Sequence, residues 1–182
     1  MTSRRSTLLN VTLTVLALAL NSLALGKGAP PQPISVDLRL IGHIAPKGRG
    51  QDKIYNPSLP VVDALIDSGP AAIPFLLSKL GDETEIDPSV LDLWPRVRVG
   101  DVALVLLCDF FTRPDGKNTV AGLNWDGILE RGNQDGPAWA LLEDFVAKHG
   151  RRGLRHRAEG ILKPHHGRFA WDAEERCFKP LK

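Results

Sequence analysis

The stretch from Val97 to Phe111 constrains this chain more than any other. Asp101 can cap a helix there, and Val102 to Cys108 is apolar without interruption. A helix that is apolar all round has no side to give to water, so it must lie at the centre of a core with other elements packed about it. A hydrophobic fraction of 43% excludes a mostly disordered chain, and 14 Pro with 17 Gly exclude one long uninterrupted helix.

The covering elements read mostly as helices. Asn56 or Ser58 can cap a helix from near Leu59 to Ser68, with Val62, Leu65 and Ile66 as its stripe and Gly69 as its stop. Pro70 suits the first turn of a second helix, in which Ile73, Leu76, Leu77 and Leu80 recur at helical spacing before Gly81. So short a break predicts that the two lie antiparallel. A weaker helix is expected over 119–131, around Trp125, Ile128 and Leu129. Pro137 opens another, with Trp139, Leu142, Phe145 and Val146 inward and Gly150 at its end; Arg151 to Lys163 gives the last, on Leu154, Ala158, Ile161 and Leu162. Ile34 to Ile44 alternates like a strand, yet Ser35 as a cap favours a short helix. Residues 46–56 and 81–96 read as connections. Phe169 and Trp171 alternate with polar residues, so a β-hairpin is expected over 167–180. The expected fold is a single, mainly α domain over 34–182, with five or six helices and that C-terminal hairpin.

The N-terminus reads as an export signal over 1–26: Arg4 and Arg5, an apolar stretch from Leu8 to Leu20, then small residues that place cleavage after Ala24 or Gly26. The alternative is an uncleaved anchor. Residues 27–33 read as a linker. The expected location is the periplasm or the medium. Lys and Arg number 23 against 21 Asp and Glu, and losing Arg4 and Arg5 leaves the mature chain neutral. That gives no general basic surface for nucleic acid. In an oxidising compartment Cys108 and Cys177 could form one disulfide, closing a loop long enough to stabilise the fold by about 4 kcal/mol. The other reading of Cys108 is a small buried hydrophobe.

The segment Gly69-Pro70-Ala71-Ala72-Ile73-Pro74-Phe75-Leu76-Leu77-Ser78-Lys79-Leu80-Gly81-Asp82 resembles the second helix of a HEAT repeat, and Val97-Arg98, Asp101-Val102-Ala103 and Leu106 are similar to the start of a following one. The likeness covers residues 58–108. It implies HEAT-like antiparallel hairpins that offer a face to a protein partner, with Asp82 and Arg98 in the family's ladder positions.

Signals for chemistry are sparse. His149, His156, His165 and His166 lack the spacing by which two imidazoles converge on a metal, and exposed loop histidines are the plainer reading. No Gly-x-Ser-x-Gly or phosphate-binding loop occurs, and no cofactor is expected. Two charged stretches stand out. Asp82, Glu83, Glu85, Asp87 and Asp92 precede Trp94 and Arg96; Lys148, Arg151, Arg152, Arg155, Arg157, Lys163 and Arg168 fall within 148–168. Trp and Arg are typical interface anchors. The candidate partner-binding residues are therefore Asp82, Glu83, Glu85, Asp87, Trp94, Arg96, Arg151, Arg152 and Arg155. The basic stretch also suits an anionic membrane surface. The leading expectation is an exported, non-catalytic protein-binding module, for instance an envelope inhibitor. The alternatives are a metal-dependent envelope enzyme using the C-terminal histidines and a structural domain without a specific ligand. N-terminal sequencing of the protein recovered from the envelope or medium should begin at Leu25 or Lys27; recovery of an intact Met1 chain would show that the segment is retained.

Overall fold

The structure is a computed structural model that describes residues 34–44, 60–91, 93–123, 128, 137–165 and 167–181. The signal at 1–26, the linker at 27–33, the cap at Asn56 or Ser58, the loop over 46–56, Asp92, Trp125, Leu129 and His166 lie outside the described residues.

Among the described residues there are four α-helices: α1 (Pro60–Asp67), α2 (Ala72–Lys79), α3 (Val99–Phe110) and α4 (Ala138–Leu162). Four short strands form two separate antiparallel ribbons. β1 (Glu85–Ile86) pairs with β2 (Val97–Arg98), and β3 (Phe169–Asp172) pairs with β4 (Cys177–Pro180). This is an α/β mix and not the expected stack of five or six HEAT-like hairpins.

The centre is α3, every residue of which is buried. α2 packs along it, and so does a 3-10 turn at Leu38–Leu40. At its C-terminal end Phe110 and Phe111 enter an aromatic cluster with the last ribbon. Phe111 meets Phe169 at 5.0 Å, and Trp171 meets Phe178 at 5.1 Å, both edge-on. Aromatic pairs in this geometry add about 0.5–1.5 kcal/mol beyond the area they bury. Asp172 Oδ1 closes the hairpin turn by accepting the Glu174 and Glu175 N–H groups, and Lys179 Nζ reaches Asp172 Oδ2 at 2.7 Å.

Several departures have local causes. Ser68 keeps helical backbone angles and Gly69 turns at φ 57°, so the chain bends by 113° between α1 and the Gly69–Lys79 segment; that is a corner and not an antiparallel hairpin. The 34–44 segment forms only the Leu38–Leu40 turn, because Asp37 caps it by accepting the Arg39 N–H and Ile44 is drawn into a bridge with Leu91. Residues 119–123 are turns and bends; Ile128 is helical and buried. At Gly150 (φ 69°) the expectation holds: the backbone leaves the helical region there, and α4 is two helical limbs that meet at a kink. Helix α3 begins at Val99, since Val97 and Arg98 are taken by the ribbon.

The entry to α3 is unusually close. The Val99 N–H donates to Thr84 O and the Gly100 N–H to Asp82 O. A Cβ on Gly100 would stand 2.7 Å from Leu80 O and 3.0 Å from Asp82 O. Both neighbours are backbone and cannot swing away. Gly100→Ala should therefore cost about 1–3 kcal/mol by overpacking. Urea unfolding should show a lower midpoint at unchanged slope, whereas Gly81→Ala, with open space around its Cβ position, should not show this steric loss.

Candidate functional site

The chain bends at Pro95 and Arg96 and is extended only in β2, where successive side chains point to opposite sides. Val97 is fully buried, while Trp94, Arg96 and Arg98 line one cleft. The opposite wall is the first limb of α4. Trp139, Leu142, Glu143, Val146 and Ala147 recur at three- and four-residue steps, so they share one helix face, and that face lines the same cleft. Trp139 and Val146, expected inward, are half-buried along this wall. Asp101 and Arg151 complete the lining of a volume of ≈ 240 Å³.

Those two residues form a buried ion pair. Arg151 Nη2 lies 2.6 Å from Asp101 Oδ1, with side-chain exposures of 7% and 2%. The contact is close but oblique, outside hydrogen-bond angles, and Arg151 Nη1 has no hydrogen-bond acceptor. Asp101 Oδ2 accepts the Arg98 N–H at 2.8 Å and so caps α3. A carboxylate near a helix N-terminus is favourable, whereas a guanidinium alone would be repelled there. Arg151 is thus a core residue and not the exposed partner contact expected. Its helix phase explains why: Arg151, Leu154, Ala158 and Leu162 are the buried residues of the second limb.

The other expected site residues are dispersed. Asp82, hydrogen-bonded by the Thr84 hydroxyl and N–H, is held below the usual carboxylate range; Asp87 is held low by the Ser89 N–H and hydroxyl. Both carboxylates stabilise local turns. Such caps are complete above the ordinary carboxylate pKa and are lost as pH falls through the depressed values. Glu83 is exposed, and Glu85 pairs with Arg96 at 3.2 Å across the first ribbon. Arg98 does not complete a ladder with Asp82: it makes no ion pair among the described residues, and the buried pair here is Asp101–Arg151. Arg152 is exposed on the second limb, and Arg155 is held by Glu159 at 2.7 Å. Only Trp94, Arg96 and Arg151 of the expected set meet in one place. Arg98, Asp101, Trp139 and Glu143 join them unforeseen as a site.

Cys108 and Cys177 are both buried and are not bonded to each other, contrary to the bridge considered above. Cys108 lies in the fully buried α3, where burial drives its thiol well above the usual range and leaves it unreactive. His149 stacks on Phe145 at 4.7 Å, His165 lies 6.0 Å from Phe169, and His156 is exposed. Among the described residues no three His, Cys, Asp or Glu side chains gather as metal ligands would, and no single helix is long and apolar enough to cross a membrane.

Removing one partner of a buried pair strands the other charge, which costs about 3–5 kcal/mol, whereas replacing both by apolar residues is often close to neutral. Arg151→Met should therefore lower unfolding stability by that amount. Combining it with Asp101→Asn, which keeps a cap acceptor, should recover much of the loss; an Asp101→Asn effect that is the same with and without Arg151 would show that the pair carries no coupling.

No protein family, curated protein or solved structure is matched by this chain.

Proposed function

We propose that the chain is an exported, non-catalytic protein-recognition module that docks through Leu93, Trp94, Arg96 and Arg98 and the cleft behind them. The supporting observation is Leu93. It is 94% exposed and sits at φ 64°. The Trp94 N–H bonds back to Leu91 O, which places Leu93 at the third position of a tight turn, where positive φ favours glycine. A left-handed leucine costs about 1–2 kcal/mol relative to its ordinary conformation. Its side chain recovers nothing by burial. Folding alone gives no reason for leucine here, and a protruding apolar knob beside Trp94, Arg96 and Arg98 has the composition of an interface anchor.

Photo-crosslinking tests this reading. With a photoreactive residue in place of Leu93, cells that make the protein should yield a discrete adduct, and the same residue in place of the exposed Asp144 should not. Trp94→Ala should weaken the adduct at least fivefold. Adducts of the same pattern from both positions, or none from position 93, would overturn the docking surface.

A further inference from the structure

We infer that the corner where α4 ends rests on an anionic lipid bilayer, with Lys163 and Arg168 meeting headgroups and Leu181 entering the boundary of the acyl chains. This inference does not depend on the cleft. Backbone bonds assemble the corner. Helix α4 runs out through a 3-10 turn, Lys163–His165, and the Arg168 N–H donates back to His165 O at 2.9 Å. The Leu181 N–H then donates to Arg168 O at 2.7 Å, just beyond the Phe169–Pro180 pair that ends the last ribbon. Lys163, Arg168 and Leu181 are thus held together, and all three are exposed, Leu181 by 53%.

The charge count includes the acids. Within 148–168 there are seven Lys and Arg residues and a single acid, Glu159. Asp101 answers Arg151, and Glu159 answers Arg155 at 2.7 Å. Lys148, Arg152, Lys163 and Arg168 are exposed and have no acidic partner among the described residues. Helix α2, which packs against α4, brings Lys79 and no acid. The acids of the hairpin are met: Asp172 by Lys179, and Glu175 by Lys179 and Arg113. Glu174 is exposed, but it lies in the turn at the other end of the ribbon, about 13 Å along the strands. On the second limb Arg152, His156, Glu159 and Lys163 follow at steps of four, three and four, so one outer stripe leads to the corner over about 17 Å. Bases spread along such a stripe, with one projecting apolar side chain at its end, suit a flat anionic surface. The surface attracts all the bases at once, and the leucine gains by leaving water. An acidic protein could answer the bases, but it would need a pocket for Leu181 to gain the same.

The test is sedimentation of the chain, as recovered from the envelope or medium, with lipid vesicles. Mixed phosphatidylglycerol–phosphatidylcholine vesicles should bind it at least tenfold more strongly than phosphatidylcholine alone at low salt, and the difference should shrink as salt is raised. Arg168→Gln, Lys163→Gln and Leu181→Ser should each weaken binding at least threefold. Lys117→Gln, which removes an exposed base beside Asp115, should change it less than twofold. Unchanged thermal midpoints would show that these variants keep the fold. Equal binding to both vesicle types, or binding to neither, would overturn the inference. An equal loss in Lys117→Gln would reduce the effect to overall charge and overturn the corner. Full binding by Leu181→Ser, with Arg168→Gln still weakened, would mark a site for soluble polyanions or acidic proteins and overturn the lipid surface.

Discussion

Arg151 and Asp101 meet at 2.6 Å where α3 begins and α4 resumes after its break. Their contact answers a difficulty created by α3. A helix buried on every side cannot leave its N-terminal N–H groups to water, so the surrounding structure must supply acceptors. Asp82 and Thr84 offer backbone carbonyls to Gly100 and Val99, and Asp101 turns back to the Arg98 N–H. The Asp101 charge then needs a cation in turn, and Arg151 brings it from the start of the second limb. The close approach of Leu80 O and Asp82 O to Gly100 is what keeps these groups in register. One polar cluster therefore ties the end of α2, the first ribbon, α3 and α4 together.

Much of this was legible as local pattern. Ile73, Leu76 and Leu80 mark the core side of α2, Pro137 and Gly150 bracket the first limb of α4, and Phe169 and Trp171 alternate where β3 lies. The way the pieces join was not legible. Gly69 ends α1 by either reading, but its φ decides between a hairpin and a 113° corner. Residues 81–96 look like a solvated acidic connection, yet Ile86 and Val97 pair, and Asp87 starts a turn that delivers Val90 and Leu91 to the core. Strands of two residues are too short to produce a periodic signal.

The cleft was harder still to read, because its two walls lie some forty residues apart and follow different periods. Trp94, Arg96 and Arg98 reach one cleft across bends at Pro95 and Arg96 that no periodicity announces, and continuing the helix back to Val97 hides them. Trp139 and Val146 look like core residues, since helical spacing identifies a face without saying what covers it. Arg151 sits in a run with Arg152, Arg155 and Arg157, and composition treats the four alike. What separates it is phase: Arg151 lies on the stripe with Leu154, Ala158 and Leu162, and its neighbours do not.

The same contrast explains how the molecule can carry an unfavourable turn at Leu93. A left-handed leucine and an exposed apolar side chain each oppose folding locally by about 1–3 kcal/mol or less. A small domain with a net stability of about 5–15 kcal/mol cannot accept many such features. Here both coincide at Leu93, directly beside the best-tied part of the structure; Arg176 (φ 48°) and Leu40, 75% exposed, each show only one of them. Leu91 is buried, Val97 is buried, and Asp101 holds the Arg98 backbone, so the segment between is pinned at both ends. If a partner docks there as proposed, a turn held in this way would lose little further conformational freedom, and low ordering cost lets a small surface bind tightly. On the proposed reading, the rigidity of the buried helix is what would prepare its entrance for recognition.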